Sequence, residues 1–153
     1  MQVDSLAITT GGTVDLYGEN LVGTLAVNHT GFGGYVSFND YAGIEIGSVD
    51  GVDGVSAYDV TLSAGGAITD DGGNIITAQY LTIIEASSVG NIEASLTFDA
   101  DDVDVNASGN IVLEAVGGVH VNFFAEGVTI SASVTGGEGG GIAIYSATED
   151  VFL

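Results

Sequence analysis

The chain has 153 residues, of which 21 are Asp or Glu and none is Lys, Arg, Cys, Pro or Trp, so its formal net charge is −21. Nucleic acids, anionic membranes and phosphate ligands need basic residues to neutralise them, so we expect no nucleic-acid partner. No uninterrupted apolar run approaches the 18 or more residues that a membrane helix needs, so we also expect no membrane insertion. Without cysteine there is no disulfide, no thiolate nucleophile and no Cys-based zinc site. A hydrophobic content of 46% nevertheless predicts a packed core.

Short runs in which apolar and polar residues alternate follow one another along the whole chain. Such a run places two side chains on one face and the middle one on the other, which is typical of a β-strand. In chain order the apolar pairs are Val14/Leu16, Leu25/Val27, Val36/Phe38, Ile44/Ile46, Val60/Leu62, Leu81/Ile83, Leu96/Phe98, Val103/Val105, Ile111/Leu113, Val119/Val121, Val128/Ile130, Ile142/Ile144 and Val151/Leu153. No segment has a sustained helical period with a cap, so the sequence predicts an all-β fold with no substantial helix.

Segments rich in Gly, Asp or Asn separate these runs, and the runs start about every 8 residues. Glycine reaches the positive φ angles that sharp corners need, so we interpret these segments as corners. The pairs Asp50/Asp53 and Asp70/Asp71 lie in such corners, where an Asx turn is a simpler role than metal binding.

The repetition of one corner chemistry favours a parallel β-helix. A sandwich gives no reason for it, and strands this short do not span a bilayer as an outer-membrane barrel. Three strands with their corners make a coil of roughly 20 to 25 residues, so residues 1–153 predict a single β-solenoid of about 6 to 7 coils, roughly 30 Å long. Both termini have the pattern of interrupted repeats, so we expect a repeat segment or polymer subunit with open ends.

Four stretches carry a family resemblance: GIEIGSVDGV at 43–52, DVTLSAGGAITDDGG at 59–73, ASGNIVLEA at 107–115 and GVTISA at 127–132. They resemble the repeats of filamentous-haemagglutinin-type exoproteins. The resemblance implies a right-handed β-helical shaft that is exported, displayed at a bacterial surface and used in adhesion, biofilm or fibre formation. We therefore expect an extracellular or cell-surface structural protein; the alternative is a calcium- or carbohydrate-binding adhesin module that is not itself a polymer.

The densest acidic cluster suggests a cation site. It comprises Asp99, Asp101, Asp102 and Asp104. Carboxylate oxygens are the ligands that calcium takes, although neither the EF-hand loop nor the nonapeptide calcium repeat is present. The simpler interpretation is a solvated acidic strand. Because 21 like charges have no internal counter-charge, we also expect cations to gather diffusely on the surface.

The two ends of the chain are candidate self-association surfaces. Open strand edges recruit further strands, and head-to-tail stacking would generate an open filament. The residues expected at these contacts are Val3, Leu6 and Ile8 at one end and Ile142, Ile144, Val151, Phe152 and Leu153 at the other.

The remaining polar and aromatic residues give weaker signals. His29 and His120 are expected to be solvated, and no nucleophile elbow is present. Enzymes built on β-helices would need basic residues to bind anionic sugars. Because this chain has none, we expect that the protein is not an enzyme. Tyr35, Tyr58 and Tyr80 precede strands and suit a phenol with one packed face, with outward carbohydrate binding as an alternative. Asn28 and Asn106 begin glycosylation triplets, at a frequency that chance explains.

Overall fold

The computed structural model describes residues 1–91, 93–116, 120–125, 130–134, 141–144 and 151–152, with side chains as far as residue 116. The described residues form strands and connections, with no helix among them. The strands are β1 Gln2–Thr10, β2 Val14–His29, β3 Tyr35–Asp40, β4 Ile44–Ile46, β5 Ser48–Val49, β6 Val52–Asp53, β7 Val55–Ser56, β8 Asp59–Ala64, β9 Ala67–Asp70, β10 Ile76–Glu85, β11 Ser88–Val89, β12 Leu96–Ala107, β13 Ile111–Ala115, β14 His120–Ala125, β15 Ile130–Val134, β16 Gly141–Ile144 and β17 Val151–Phe152.

Fifteen of these strands join one sheet in which each strand pairs with a strand about one turn away in sequence. The strand order along the main path is β16-β14-β12-β10-β8-β3-β2-β4-β9-β11-β13-β15-β17. Pairings such as β3 with β8 and β4 with β9 are parallel, while β5 and β6 form a separate antiparallel hairpin. This order is that of a chain winding into a parallel β-solenoid, as the sequence predicted.

The strand register defines three stacked faces. On face A, Val36 pairs with Val60, Val60 with Leu81, and Leu81 with Val103, so one turn takes 21 to 24 residues. Face B is built from β4, β9, β11 and β13, and face C from β7 with the first halves of β10 and β12. These turns lie within the predicted range, whereas the turns from Val103 to Val121 and from Ile111 to Ile130 take 18 and 19 residues and are shorter than predicted.

The solenoid has about five turns, which corrects the prediction of six or seven. Two segments of the chain do not form a complete turn of the solenoid, so the number of turns is lower than the chain length suggests. The N-terminal strand β1 pairs along β2 on faces B and C alone. The β5–β6 hairpin leaves the coil between faces B and C and closes on itself, with Gly54 N–H donating to Gly47 O at 3.0 Å.

The core is a set of apolar columns inside the coil. The inward members of the predicted pairs are almost fully buried, as at Phe38, Leu62 and Ile83, which stack in register on face A. The residues between them on the strands, such as Thr61 and Thr82, are only partly buried. The alternation predicted from the sequence is thus confirmed on strands such as β3, β9 and β13, whereas β1 has no fully buried side chain.

Two segments depart from this alternation with three consecutive buried residues, residues 62–64 on β8 and residues 25–27 on β2. Leu25, Ala26 and Val27 are consecutive, and all three are 0% exposed. They lie in β2, against which the β5–β6 hairpin packs. The methyl group of Ala26 suits a position where a strand face is covered by another segment of the chain.

Candidate functional site

Two aspartates that precede corners are buried inside the solenoid. Asp40 is 1% exposed: its Oδ2 accepts from the Val22 backbone N–H at 2.7 Å and its Oδ1 from the Ala42 N–H at 2.8 Å. Asp70 accepts from the Gly72 N–H at 2.7 Å and from the Thr97 N–H at 2.8 Å. Each carboxylate therefore closes its own corner and ties it to a neighbouring turn, which confirms the Asx-turn role for Asp70.

The Asp50 corner is the tip of the β5–β6 hairpin. Asp50 has φ of 51° and the following Gly51 has φ of 80°, the left-handed pair that two-residue hairpins require. Ser48 Oγ donates to the Asp53 carboxylate across the hairpin. Both predicted corner pairs thus serve turns in the structure.

His29 is buried, which corrects the prediction that it is solvated. Its side chain is 8% exposed, and its Nδ1 accepts from the Gly31 N–H at 3.1 Å. The ring lies against Gly34, where a Cβ atom would overlap the imidazole. Its Nε2 has no hydrogen-bond partner. The glycines at the end of β2 make the space for this ring; the side chain of His120 lies outside the described residues.

The acidic cluster lies on β12, which crosses from face C to face A. Ala100 and Val103 are buried, whereas Asp101 and Asp102 between them are both exposed, so the strand bends at this point. Asp99 pairs in register with Thr77, Asp102 with Tyr80 and Asp104 with Thr82. Among the side chains that the structure describes, no three acidic or histidine groups come together to hold a metal ion. Calcium binding by Asp99, Asp101, Asp102 and Asp104 stays a prediction.

The predicted self-association residues lie on β1, which branches from β2, and on β16 and β17, the two terminal strands of the order. β1 pairs with β2 alone, and on it Val3 is 37% exposed while Leu6 and Ile8 pack partly against the core. A depression of about 420 Å³ beside this strand is lined by Gln2, Val3, Asp4, Leu21, Val22, Gly23 and Gly43. At the other end, β16 and β17 terminate the order and contain Ile142, Ile144, Val151 and Phe152. The side chains of these four residues, and Leu153, lie outside the described part.

Tyrosines and aspartates alternate along the outer surface at the start of face A. Tyr35 pairs in register with Asp59, Asp59 with Tyr80, and Tyr80 with Asp102. Tyr58 precedes Asp59 and stands beside this series. We call these five residues the tyrosine–aspartate ladder. Sequence reasoning found its tyrosines but not its alternation, which depends on the register.

The aromatic rings of the ladder are accessible from solvent. Tyr35, Tyr58 and Tyr80 are 44%, 42% and 40% exposed. The rings of Tyr58 and Tyr80 meet edge to face, with centroids 5.8 Å apart and planes at 68°. Edge-to-face contact is one of the favoured arrangements of two aromatic rings.

The ladder contains the carboxyl groups of Asp59 and Asp102. The charge that Tyr58 would acquire on ionising raises the pKa of Tyr80 above its ordinary value, and partial burial, Asp102, a hydrogen bond to Tyr58 and Asp101 raise it further. Tyr80 therefore stays protonated at neutral pH, and the carboxylates beside it make this surface attractive to cations.

Other exposed aromatic residues are not members of the ladder. Phe32, at the tip of the corner after His29, is fully exposed, and Tyr41 is 73% exposed. Asn28 and Asn106, the candidate glycosylation positions, are also exposed.

Comparison with known proteins adds no assignment. No protein-family model matches the chain, and no curated protein or solved structure matches it. None of the residues that the structure describes belongs to a helix able to cross a membrane.

Proposed function

We propose that this protein is a structural extracellular protein of a bacterial surface, a β-solenoid shaft or self-stacking filament subunit that serves display, adhesion or a biofilm matrix. The observation that carries the proposal is the strand pairing: β1 pairs with β2 alone, and β16 and β17 are the two terminal strands of the order. A strand edge presents unpaired backbone donors and acceptors. The opposite edge of a second molecule would form hydrogen bonds with them.

The interior supports the same proposal. The apolar columns run from coil to coil, so stacking another molecule on β1 continues them over the partly buried Leu6 and Ile8. Because the two ends differ, such contacts are heterologous and produce an open filament. We also propose that the coil is right-handed, since nearly all connections between parallel strands of one sheet have that hand.

The test is electron microscopy of the purified protein in a calcium buffer and in a chelator, at low and at moderate salt. We expect filaments in both buffers. More filaments should form at moderate salt, because salt screens the repulsion between two molecules of charge −21. Val3→Asp places a charge on the exposed β1 edge and should shorten or abolish them. Ile84→Asp is the matched control, because Ile84 is 41% exposed but lies on β10, which is paired on both sides.

The alternative, a calcium- or carbohydrate-binding adhesin module, predicts a different result. Filaments that form only in calcium would give the acidic strand β12 a mechanistic part, which Asp99→Asn and Asp101→Asn would then abolish. Compact monodisperse particles in every buffer would reject self-assembly and leave the adhesin module as the better account.

A further inference from the structure

The sequence contains three Asp-Gly dipeptides, which begin at Asp50, Asp53 and Asp71. An aspartate before a glycine is chemically labile, because the glycine nitrogen can attack the side-chain carbonyl carbon and the glycine has no side chain to hinder it. Two of the dipeptides lie in the same tetrapeptide, Val-Asp-Gly-Val, at 49–52 and 52–55. All three aspartates are exposed, so neither exposure nor adjacent sequence distinguishes Asp50 from Asp53.

Hydrogen bonds protect the dipeptide at Asp53. The Gly54 N–H donates to Gly47 O at 3.0 Å, and the Asp53 carboxylate accepts from Ser48 Oγ. The nitrogen that would attack and the carboxyl group that would be attacked are therefore both held in place.

The dipeptide at Asp71 is protected in the same way. The Gly72 N–H donates to Asp70 Oδ1 at 2.7 Å, and Asp71 Oδ1 accepts from the side-chain amide of Asn74. This corner is thus closed by hydrogen bonds on both reacting groups.

The dipeptide at the hairpin tip has neither protection. Among the residues that the structure describes, no hydrogen-bond partner lies opposite the Gly51 N–H or the Asp50 carboxylate. The β5–β6 hairpin is a two-stranded sheet of its own with two residue pairs, Ser48 with Asp53 and Val49 with Val52. Such short isolated hairpins are marginally stable, so this tip opens more readily than the paired coil does.

The backbone at Asp50 has the hand that a D residue prefers. Its φ is 51°, in the left-handed region where the Cβ atom of an L residue crowds the following carbonyl oxygen. For a D residue the same region is the unhindered one, and D residues are used in designed hairpins with this turn.

We propose that Asp50 is a site of spontaneous backbone modification, at which the Asp50-Gly51 bond isomerises and the residue epimerises through a cyclic imide. The Gly51 nitrogen bonds to the Asp50 Cγ and loses its proton while the protonated carboxyl group loses its hydroxyl, so that one water leaves. In the imide the Cα proton is acidic, and its removal and return on the opposite face invert the residue. One water then opens the ring at either carbonyl, which gives a normal or an iso-aspartyl linkage.

The turn discriminates among these products. An iso-aspartyl linkage adds a methylene group to the backbone, which a two-residue turn accepts only by breaking the pairing of Val49 with Val52. A D-aspartate with the normal linkage adopts the positive φ of Asp50 without the crowding of the L residue. The folded chain therefore favours the D form at this position more than the unfolded chain does.

The experiment is incubation of the folded protein for several weeks in a mildly acidic buffer, followed by digestion with an endoproteinase specific for the bond before aspartate. This enzyme cleaves before normally linked L-aspartate, so mass spectrometry detects each modified residue as a lost cleavage. We expect the cleavage before Asp50 to be lost at least about tenfold faster than the cleavage before Asp53 or Asp71, which is the effect of one or two protecting hydrogen bonds.

Unfolded protein and three variants serve as controls. In urea the sites should react at similar rates, Asp50 and Asp53 most nearly so because they share a tetrapeptide. Asp50→Glu keeps the charge but lengthens the side chain by one methylene, and it should abolish the reaction at this position. Asp71→Glu should leave the reaction at Asp50 unchanged. Ser48→Ala removes the donor to the Asp53 carboxylate and should speed the reaction at Asp53.

Chiral amino-acid analysis of the peptide that spans Asp50 tests the epimer, and its D fraction should be higher after incubation of the folded protein than after incubation in urea. Equal rates at Asp50 and Asp53 in the folded chain would overturn the proposal. So would an unreacted Asp50 in a folded chain whose Asp50 reacts in urea. A D fraction no higher than in urea would overturn the selection by the turn. Circular dichroism verifies that each variant is folded.

Discussion

Asp40 and Asp70 stabilise the corners and link neighbouring turns, a role that ion pairs and helix caps have in other proteins. Each is almost fully buried, and each accepts two backbone N–H groups, one in its own corner and one in a neighbouring turn. A charged acceptor with two amide donors is a strong arrangement, and its loss leaves buried donors without partners. Among the residues that the structure describes, the hydrogen-bond donors to these carboxylates are backbone N–H groups.

Replacing Asp40 tests this role. Asp40→Ala leaves the N–H groups of Val22 and Ala42 unpaired, and we expect it to lower the free energy of unfolding by about 2 to 4 kcal/mol. The measurement is urea denaturation at neutral pH. Asp15→Ala removes the same charge from an exposed position and should change stability by less than about 0.5 kcal/mol. Equal effects of the two substitutions would contradict a structural role for the buried carboxylate.

A second prediction at this scale concerns Tyr80. Its pKa is raised, first by the charge of Tyr58, so the folded chain holds this proton more tightly than the unfolded chain does. The stability that Tyr80 contributes is therefore present below about pH 10 and is lost as the pH rises through the raised pKa. Nuclear magnetic resonance of labelled tyrosine should show Tyr80 titrating above its ordinary range. Tyr58→Phe should bring its pKa back towards 10, whereas Tyr41→Phe should leave it where it was.

The sequence alone does not predict the burial of His29, Asp40 and Asp70, and the physical reason is similar for all three. Polar residues in glycine-rich corners are ordinarily solvated, and the partners that hold two of these inside lie 18 and 27 residues away. Only the strand register brings those partners close. By contrast, the Asp50-Gly51 pair between Val49 and Val52 is a recognised hairpin signal, and it could have predicted the β5–β6 hairpin.

On the strands, inward side chains contribute more to the free energy of unfolding than outward side chains do. Phe38, Leu62 and Ile83 pair in register and fill one column, so each is packed above and below by the same kind of group. The period-two pattern predicted these positions because a strand with one buried face leaves no other arrangement. The length of β2, whose 16 residues turn through a corner without a break, was not predictable from that pattern.

A substitution in the middle of this column measures its contribution. Leu62→Ala removes a fully buried side chain between Phe38 and Ile83, and we expect a loss of about 2 to 5 kcal/mol in the free energy of unfolding. Thr61→Ala, the adjacent and partly buried position on β8, is the matched control and should cost less than about 1 kcal/mol. A comparable cost at both positions would argue against a single inward face on this strand.

For the whole molecule, the dominant long-range force is repulsion. The net charge is −21, and the coils that carry these charges repeat at a strand spacing of about 4.8 Å. The composition predicted this repulsion directly. Stability then depends on the apolar columns, the backbone ladder and the ions in solution.

Salt should consequently stabilise this protein. The Debye length falls from about 30 Å at 0.01 M to about 3 Å at 1 M, which is shorter than the coil spacing. We expect the Tm in sodium chloride to rise across this range, measured by circular dichroism. Calcium chloride at matched ionic strength separates screening from binding: equal curves mean screening alone, and extra stabilisation at low calcium concentration would indicate ordered sites. A Tm that falls with added salt would contradict the repulsion argument.

The stacked register also determines how the molecule responds to force. The turns between Val36 and Val103 take 21 to 24 residues, and each is paired to the next along the solenoid axis. An axial load acts on all the interfaces between turns in series, so the weakest interface opens first. A turn that occupies about 4.8 Å of the axis when folded extends to roughly 70 Å once its chain is drawn out. Under tension the solenoid would therefore lengthen stepwise, coil by coil, as an extensible tether that absorbs work before its covalent chain is strained.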